Sequence, residues 1–295
     1  MIFKKKLDRL INQLFTLLIK RKNLLEIKAK SKLDEYILSH LTPEGDLLDL
    51  EDKNVSPEHL RLLCQAGETL KGVKQLYLSN NALGNAEIEY LSKSRCLPNL
   101  EKLFLNHNKI SDAGLKKLVE SKLVCNLNNL MLEANQISAK GAKAIAHSPN
   151  LGKLETLFLD SNPIGPEGAK ILAESTCLTS LTALHMDSTG IGDEGAKAIA
   201  NTNTLTNLVK LYFCANKIGN EGAIALAQSP NLKNLNCLSI WRNEIRNEGG
   251  QAIAESKHLL KLERLYMSLN LIDKPIRKLI RGSELASRLK TLVMD

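Results

Sequence analysis

Leucine recurs along this chain at a fixed interval. It stands at Leu76, Leu103, Leu130, Leu157, Leu184, Leu211, Leu238, Leu265 and Leu292, each 27 residues after the last. Around each of these the pattern is Leu-x-x-Leu-x-Leu, as in Leu154, Leu157 and Leu159. Apolar and polar positions there alternate with period two, which predicts a short strand with one buried face. Further on, Gly168, Ala169, Leu172 and Ala173, and again Gly195, Ala196, Ile199 and Ala200, place small and apolar residues at helical spacing. Polar returns such as Ser148-Pro149-Asn150 and Ser229-Pro230-Asn231 stop each helix before the next strand.

Strand, turn, helix and return within 27 residues make one coil of a solenoid, whose units bury their apolar faces only by stacking on their neighbours. Successive strands become parallel neighbours about 4.8 Å apart. Helices are bulkier than strands, so the stack bends with the strands inside. The predicted fold class is therefore α/β, a horseshoe with parallel strands on the concave face and helices on the convex face. Asn81, Asn108, Asn135, Asn162, Asn216, Asn243 and Asn270 occupy equivalent turn positions. A buried amide donates and accepts together, which lets it satisfy backbone groups of adjoining coils. Thr189 interrupts this series and Gly190 follows it, so an altered turn is expected there.

These residues resemble the leucine-rich repeat, specifically the ribonuclease-inhibitor-like type with an α-helix in each unit. The resemblance covers Leu48 to Asp295. It implies a non-catalytic horseshoe that grips a folded protein on its concave sheet, and an inhibitor that occludes an enzyme's active site. Similar repeat proteins occur among effectors that intracellular bacteria inject into host cells, which implies a host protein or another effector as the target.

The organisation expected is a basic N-terminal helical cap over residues 1–45 and the solenoid over 46–295. Leu7, Leu10, Ile11, Leu14, Leu17 and Leu18 predict one helix, and Leu33, Ile37, Leu38 and Leu41 a second, ended by Thr42-Pro43-Glu44-Gly45. The segment reads as a cover for the apolar end of the array. The other reading is a basic amphipathic helix on an anionic membrane, which would make the protein a membrane-associated scaffold. Lys53 holds the asparagine place of a degenerate first coil. At the other end, the last strand would need helix 276–287 or a partner to shield its edge.

The net charge of +8 would suggest a polyanionic partner, but its distribution argues otherwise. Residues 1–32 carry ten Lys and Arg against Asp8 and Glu26, which accounts for the whole excess. The repeat body is neutral, and no nucleic-acid partner is expected. Six cysteines include no CxxC pair or zinc spacing, which fits reduced thiols in a cytoplasmic, reducing compartment. No apolar run is long enough to span a membrane.

Differences between repeats carry the functional information. The residue between the two inner leucines of each strand faces the concave bay: Tyr77, Phe104, Met131, Phe158, His185, Tyr212, Ser239, Tyr266 and Val293. Five of only eleven aromatics fall on this track, and the single tryptophan, Trp241, lies beside it. One reading is ring stacking that supports adjacent strands. The other is an exposed apolar stripe that binds a partner. Glu133, Asp160 and Asp187 follow on three consecutive strands, where like charges repel and a basic patch on the partner would relieve them. Lys210, Arg242 and Arg264 make the other end of the face basic, so the charges are expected to orient the partner, against a reading as ordinary solvated surface. His107 and His185 read as contact residues. A catalytic pair of His185 with Asp187 is the rival reading, although no nucleophile is placed to complete a triad. Gly190-x-Gly192-x-x-Gly195 matches a dinucleotide fingerprint, but Gly165/Gly168 and Gly219/Gly222 show it to be part of the repeat. No cofactor or metal site is expected.

Overall fold

The computed structural model describes residues 35–64 and 67–294. The readings placed on residues 1–34, the basic segment among them, lie outside the described residues. Strands follow one another in sequence order as β1 (Leu47–Asp49), β2 (Gln75–Tyr77), β3 (Lys102–Phe104), β4 (Asn129–Met131), β5 (Thr156–Phe158), β6 (Ala183–His185), β7 (Lys210–Tyr212), β8 (Cys237–Ser239), β9 (Arg264–Tyr266) and β10 (Thr291–Val293). All pair in parallel in one sheet ordered β1 to β10. Each anchor leucine faces the next across the ladder, from Leu48↔Leu76 to Leu265↔Leu292, and those from Leu48 to Leu265 are fully buried. The helical residues 35–40 put Ile37 into the same core, and Leu41 bridges antiparallel to Leu48.

Helices such as Ala139–Ala146, Gly165–Ala173 and Gly192–Ala200 pack side by side on the outer face. Their buried stripes are small: Gly195, Ala196, Ile199 and Ala200 in the last of these. A Cβ on Gly195 would fall 2.5 Å from Ile191 Cβ and 3.0 Å from Ala169 Cβ, so glycine is what allows this close approach. Helices stacked about 8–10 Å apart against strands about 4.8 Å apart force the curvature.

Two further ladders, not apparent from the leucine pattern, close the helix ends. At the start, a side chain from one helix accepts N–H groups of the next: Asp112 Oδ1 takes Ser138 N (2.8 Å) and Gly141 N (2.9 Å), and Asp193 Oδ1 takes Gly219 N and Gly222 N, both at 2.7 Å. At the return, hydroxyls donate to the last carbonyls of the preceding helix, as Ser175 Oγ to Ala146 O and Thr202 Oγ1 to Ala173 O, both at 2.7 Å. These are the groups a helix terminus leaves without internal partners. The helix expected over 276–287 is two, Lys274–Arg281 and Glu284–Arg288, parted at Gly282 because Ser283 Oγ accepts from Ala286 N and starts a new helix. Arg281 reaches across to Met294 O at 2.6 Å.

The asparagine ladder does what its amide chemistry predicts. Asn108 Nδ2 donates to Leu105 O and Asn106 O in its own coil and to Leu78 O in the coil before. Its Oδ1 accepts from Asn81 N and Leu83 N. Thr189 has only one side-chain proton for this task, which its hydroxyl shares between Met186 O and Asn216 Oδ1, and among the described residues that hydroxyl makes no bond back to the coil before. The preceding loop is rewired: Ile164 N turns back to Asn162 O, and Gly165 N takes Thr189 O instead. Gly165 (φ +66°) and Gly190 (φ +71°) supply the left-handed backbone that this path needs. Asn216 compensates on the other side, its Oδ1 accepting from Thr189 N, Thr189 Oγ1, Gly190 N and Ile191 N.

Asn216 is fully buried and Asn270 only partly so. Asn216→Ala should therefore lower stability by roughly 3–5 kcal/mol and Asn270→Ala by about 1–2 kcal/mol, because the first strands several buried backbone groups at once. Urea denaturation of both variants checks this, and equal, small losses would refute the ladder's role.

Candidate functional site

Strand register turns the sequence track into one physical row. Tyr77, Phe104, Met131, Phe158, His185, Tyr212, Ser239, Tyr266 and Val293 are paired neighbour to neighbour across β2 to β10. Tyr77 stacks on Phe104 (centroids 4.0 Å, 11° between planes). Phe158 stacks on His185 (3.7 Å, 19°), and His185 on Tyr212 (4.0 Å, 13°). Met131 lies in register between Phe104 and Phe158. The stripe expected to be exposed is thus half-buried, because neighbouring rings cover each other's faces and leave only part of each ring to solvent. Ser239 breaks the row between Tyr212 and Tyr266. It is buried, and its hydroxyl meets Cys214 Sγ at 3.0 Å. Cys237 Sγ, also buried, donates to the Tyr212 hydroxyl at 3.6 Å. Burial first, and this thiol second, push the Tyr212 hydroxyl up to about 12.

Two residues further along each strand lies a polar row, and its side chains extend the backbone ladder. Asn106 Oδ1 accepts from Glu133 N (2.9 Å), Asp160 Oδ1 from Asp187 N (2.6 Å), and Asp187 Oδ1 from Cys214 N (2.6 Å). Two of the three carboxylates expected on an open surface, Asp160 and Asp187, are therefore partly buried and engaged in the sheet. Burial pushes Asp160 up to about 7, with Asp187 and Glu133 repelling its charge and the Asp187 N–H opposing the rise. Asp187 is raised as well, again by burial first. Glu133 stays more open and lies 3.9 Å from His107 Nε2. Asn106 is the residue that the leucine pattern left unread, although its place two residues after Phe104 marks it as a member of this row.

One rival reading finds no support in the geometry, and one further expectation is corrected. His185 does not pair with Asp187: its ring is held between Phe158 and Tyr212, and the Asp187 carboxylate turns to the next strand. Burial, with Lys210 adding to it, lowers His185 to about 4, so it is neutral in neutral solution. The basic end is also not one cluster. Lys210 and Arg264 occupy the first strand position, on one side of the ring row. Arg242 follows Trp241 on the other side with φ +55°, as His107 does with φ +52°. A left-handed residue turns the chain out of the sheet, so alternation by two stops applying there. Trp241 is exposed at the end of the polar row, and Arg264 is half-buried, with Nη2 3.4 Å from Asn236 Oδ1 and Nε buried without a partner.

Among the described residues no group of three or more His, Cys, Asp or Glu could hold a metal ion, and no helix is long and apolar enough to cross a membrane. The cysteines among the described residues are free thiols.

Comparison with known proteins gives a family match and a similar solved structure. The family model described as Leucine Rich repeat matches residues 96–119, 153–173, 177–200, 204–227 and 231–254. No curated protein matches the chain. Among solved structures, the TLR13 chain of a TLR13–ssRNA13 complex is similar at 20% identity and a TM-score of 0.48, over 78% of this chain. The match takes in only 40% of that chain, so this protein spans less than half of its length. In architecture, the chain is a leucine-rich-repeat solenoid with its strands inside and its helices outside.

Proposed function

We propose that this protein is a non-catalytic binding module that grips a folded protein on its concave face. Leucine-rich-repeat domains generally mediate protein–protein interaction, and one observation here carries the reading. The outward row holds two pre-stacked groups, Tyr77 on Phe104 and Phe158 with His185 and Tyr212, beside a row of half-buried carboxylates, on a face that no part of the described chain covers. Rings already held by their neighbours lose little rotamer freedom on binding, which favours their use as anchors. Phe158, Tyr212 and Tyr266 are the central anchors, with Tyr77, Phe104 and Met131 extending the contact and Trp241 at its edge. Glu133, Asp160 and Asp187 face a basic patch of the partner, and that acidic row disfavours a nucleic-acid backbone.

The partner we favour is an enzyme whose active site is occluded, as the likeness to ribonuclease-inhibitor-like repeats implies. A reducing cytoplasm, of a bacterium or of a host cell reached by an injected effector, is the compartment that suits six unpaired cysteines.

Two experiments test this. Affinity capture from bacterial and host lysates, followed by mass spectrometry, should retain a protein on wild type and lose it on a folded Phe158→Ala, Tyr212→Ala double variant. Loss of two central aromatic anchors corresponds to weakening of roughly a hundredfold or more. A partner held equally by both proteins would remove the concave face from the interaction. The second test uses the raised Asp160. Its folded-state value of about 7 means that the free carboxyl is partly protonated in neutral solution, and a cationic partner favours the ionised form. Binding should therefore release about half a proton at pH 7 and tighten as pH rises to about 7, levelling off above it. Calorimetry of the captured partner in buffers of different ionisation enthalpy measures that release. It should disappear in Asp160→Asn, and a wild-type heat independent of buffer would refute the acidic row as the partner's electrostatic contact.

A further inference from the structure

A second surface lies at the edge where strands β7 to β9 pass into their loops. Trp241 is 38% exposed, Leu269 59% and Leu271 48%, three of the few large apolar side chains left open among the described residues. They belong to two adjoining loops. Arg242 N donates to Ser268 O (2.9 Å) and Leu271 N to Ile245 O (2.8 Å), which sets Leu269 beside Arg242 and fixes the loops side by side. Lys217 (φ +58°), Arg242 (φ +55°) and Leu269 (φ +53°) are all left-handed, so successive coils turn their side chains out of the sheet at one repeated position or close to it.

Next to these apolar side chains is a depression of about 400 Å³ lined by Ser188, Ala215, Lys217, Arg242, Asn243 and Glu244. Ser188 and Ala215 are small, which is what opens it. Neither Lys217 nor Arg242 has a side-chain partner among the described residues, and Glu244 is the single carboxylate against them. Two cations against one carboxylate, beside exposed leucines, leave a net positive charge that fits a ligand acidic at one point and apolar at the next. The spacing is set by the fold. The depression is centred on the coil of Ala215, two coils before Leu269, which is about 10 Å at the strand repeat. An extended chain of the polyproline-II kind, with three residues per turn at about 3.1 Å each, covers that distance in about three residues and returns the side chain to the same face.

We propose that this edge is a docking site for an extended acidic segment of a partner protein. A Glu or Asp side chain enters the depression between Lys217 and Arg242. An apolar side chain three residues later lies over Leu269 and Leu271, with Trp241 at the border. Apart from Trp241, which borders both surfaces, the site shares no residue with the concave contact, so its charge and leucine contacts are tested separately from the concave grip.

Trp241 is the only tryptophan, so its emission reports occupancy directly. The probe is an acetylated, amidated peptide containing Glu-Ser-Ser-Phe in a Gly-Ser context, with no Trp or Tyr. Titrated into the full chain, it should produce a saturable change in Trp241 emission. The Gln-for-Glu peptide should bind at least about fivefold more weakly, as should the original peptide with Lys217→Gln or Arg242→Gln protein. Leu269→Ser, Leu271→Ser protein should lose the response. Leu260→Ser, which removes an equally exposed leucine elsewhere, should keep it. The proposal is overturned by an unchanged emission up to millimolar peptide, or by equal responses to the Glu and Gln peptides. It is also overturned if sedimentation shows self-association that the two serine substitutions abolish, since the edge would then belong to a second copy of the chain.

Discussion

The structure depends on how a chain turns the same corner in coil after coil with its backbone amides buried. A sheet of three-residue strands cannot satisfy the turns that leave it, and a turn group buried without a partner costs on the order of 1–3 kcal/mol. The turn asparagines meet that demand by spanning two coils, donating to carbonyls of both and accepting N–H groups from the coil before. Because each amide is shared, a coil is complete only when its neighbour is present. That is why the array behaves as one body with a continuous core and not as a set of separable units.

The same economy leaves the concave face free. With anchor leucines turned inward and turn groups satisfied by asparagine, the outward strand positions have no structural duty to the core. Rings occupy one of these rows and stack at the strand repeat, which is close to the thickness of an aromatic contact. Stacking and recognition are therefore not rival explanations. The stack fixes the rotamers, and fixed rotamers are what a binding surface gains from it.

Much of this is legible in the residues because the repeat is a measurement made many times over. The recurrence of leucine determines the strand register, and with it the row from Tyr77 to Val293. The departure at Thr189 correctly marks an altered turn, although the larger rearrangement lies one coil earlier, at Asn162 to Gly165, where the missing amide would have reached. What was not legible concerns directions that periodicity does not encode. Whether an aspartate at the polar row points to solvent or to the next strand's N–H depends on a backbone spacing that only the stacked coils create. Likewise, Arg242 and Arg264 read as one cluster until a left-handed residue separates them across the ring row.

The acidic row shows how fold and binding are coupled in this design. Asp160 is useful to the sheet as an acceptor for Asp187 N, and that role draws it out of water. Burial then raises its affinity for a proton, and the flanking carboxylates raise it further. Near neutral pH the row therefore carries less charge than its composition suggests. A surface of this kind discriminates against partners that bring no positive charge, since they leave the carboxylates buried without compensation. On the proposed reading the selectivity comes from the desolvation that the sheet itself imposes, with the flat strand, the shared backbone hydrogen bond and the half-buried carboxylate acting as a single device.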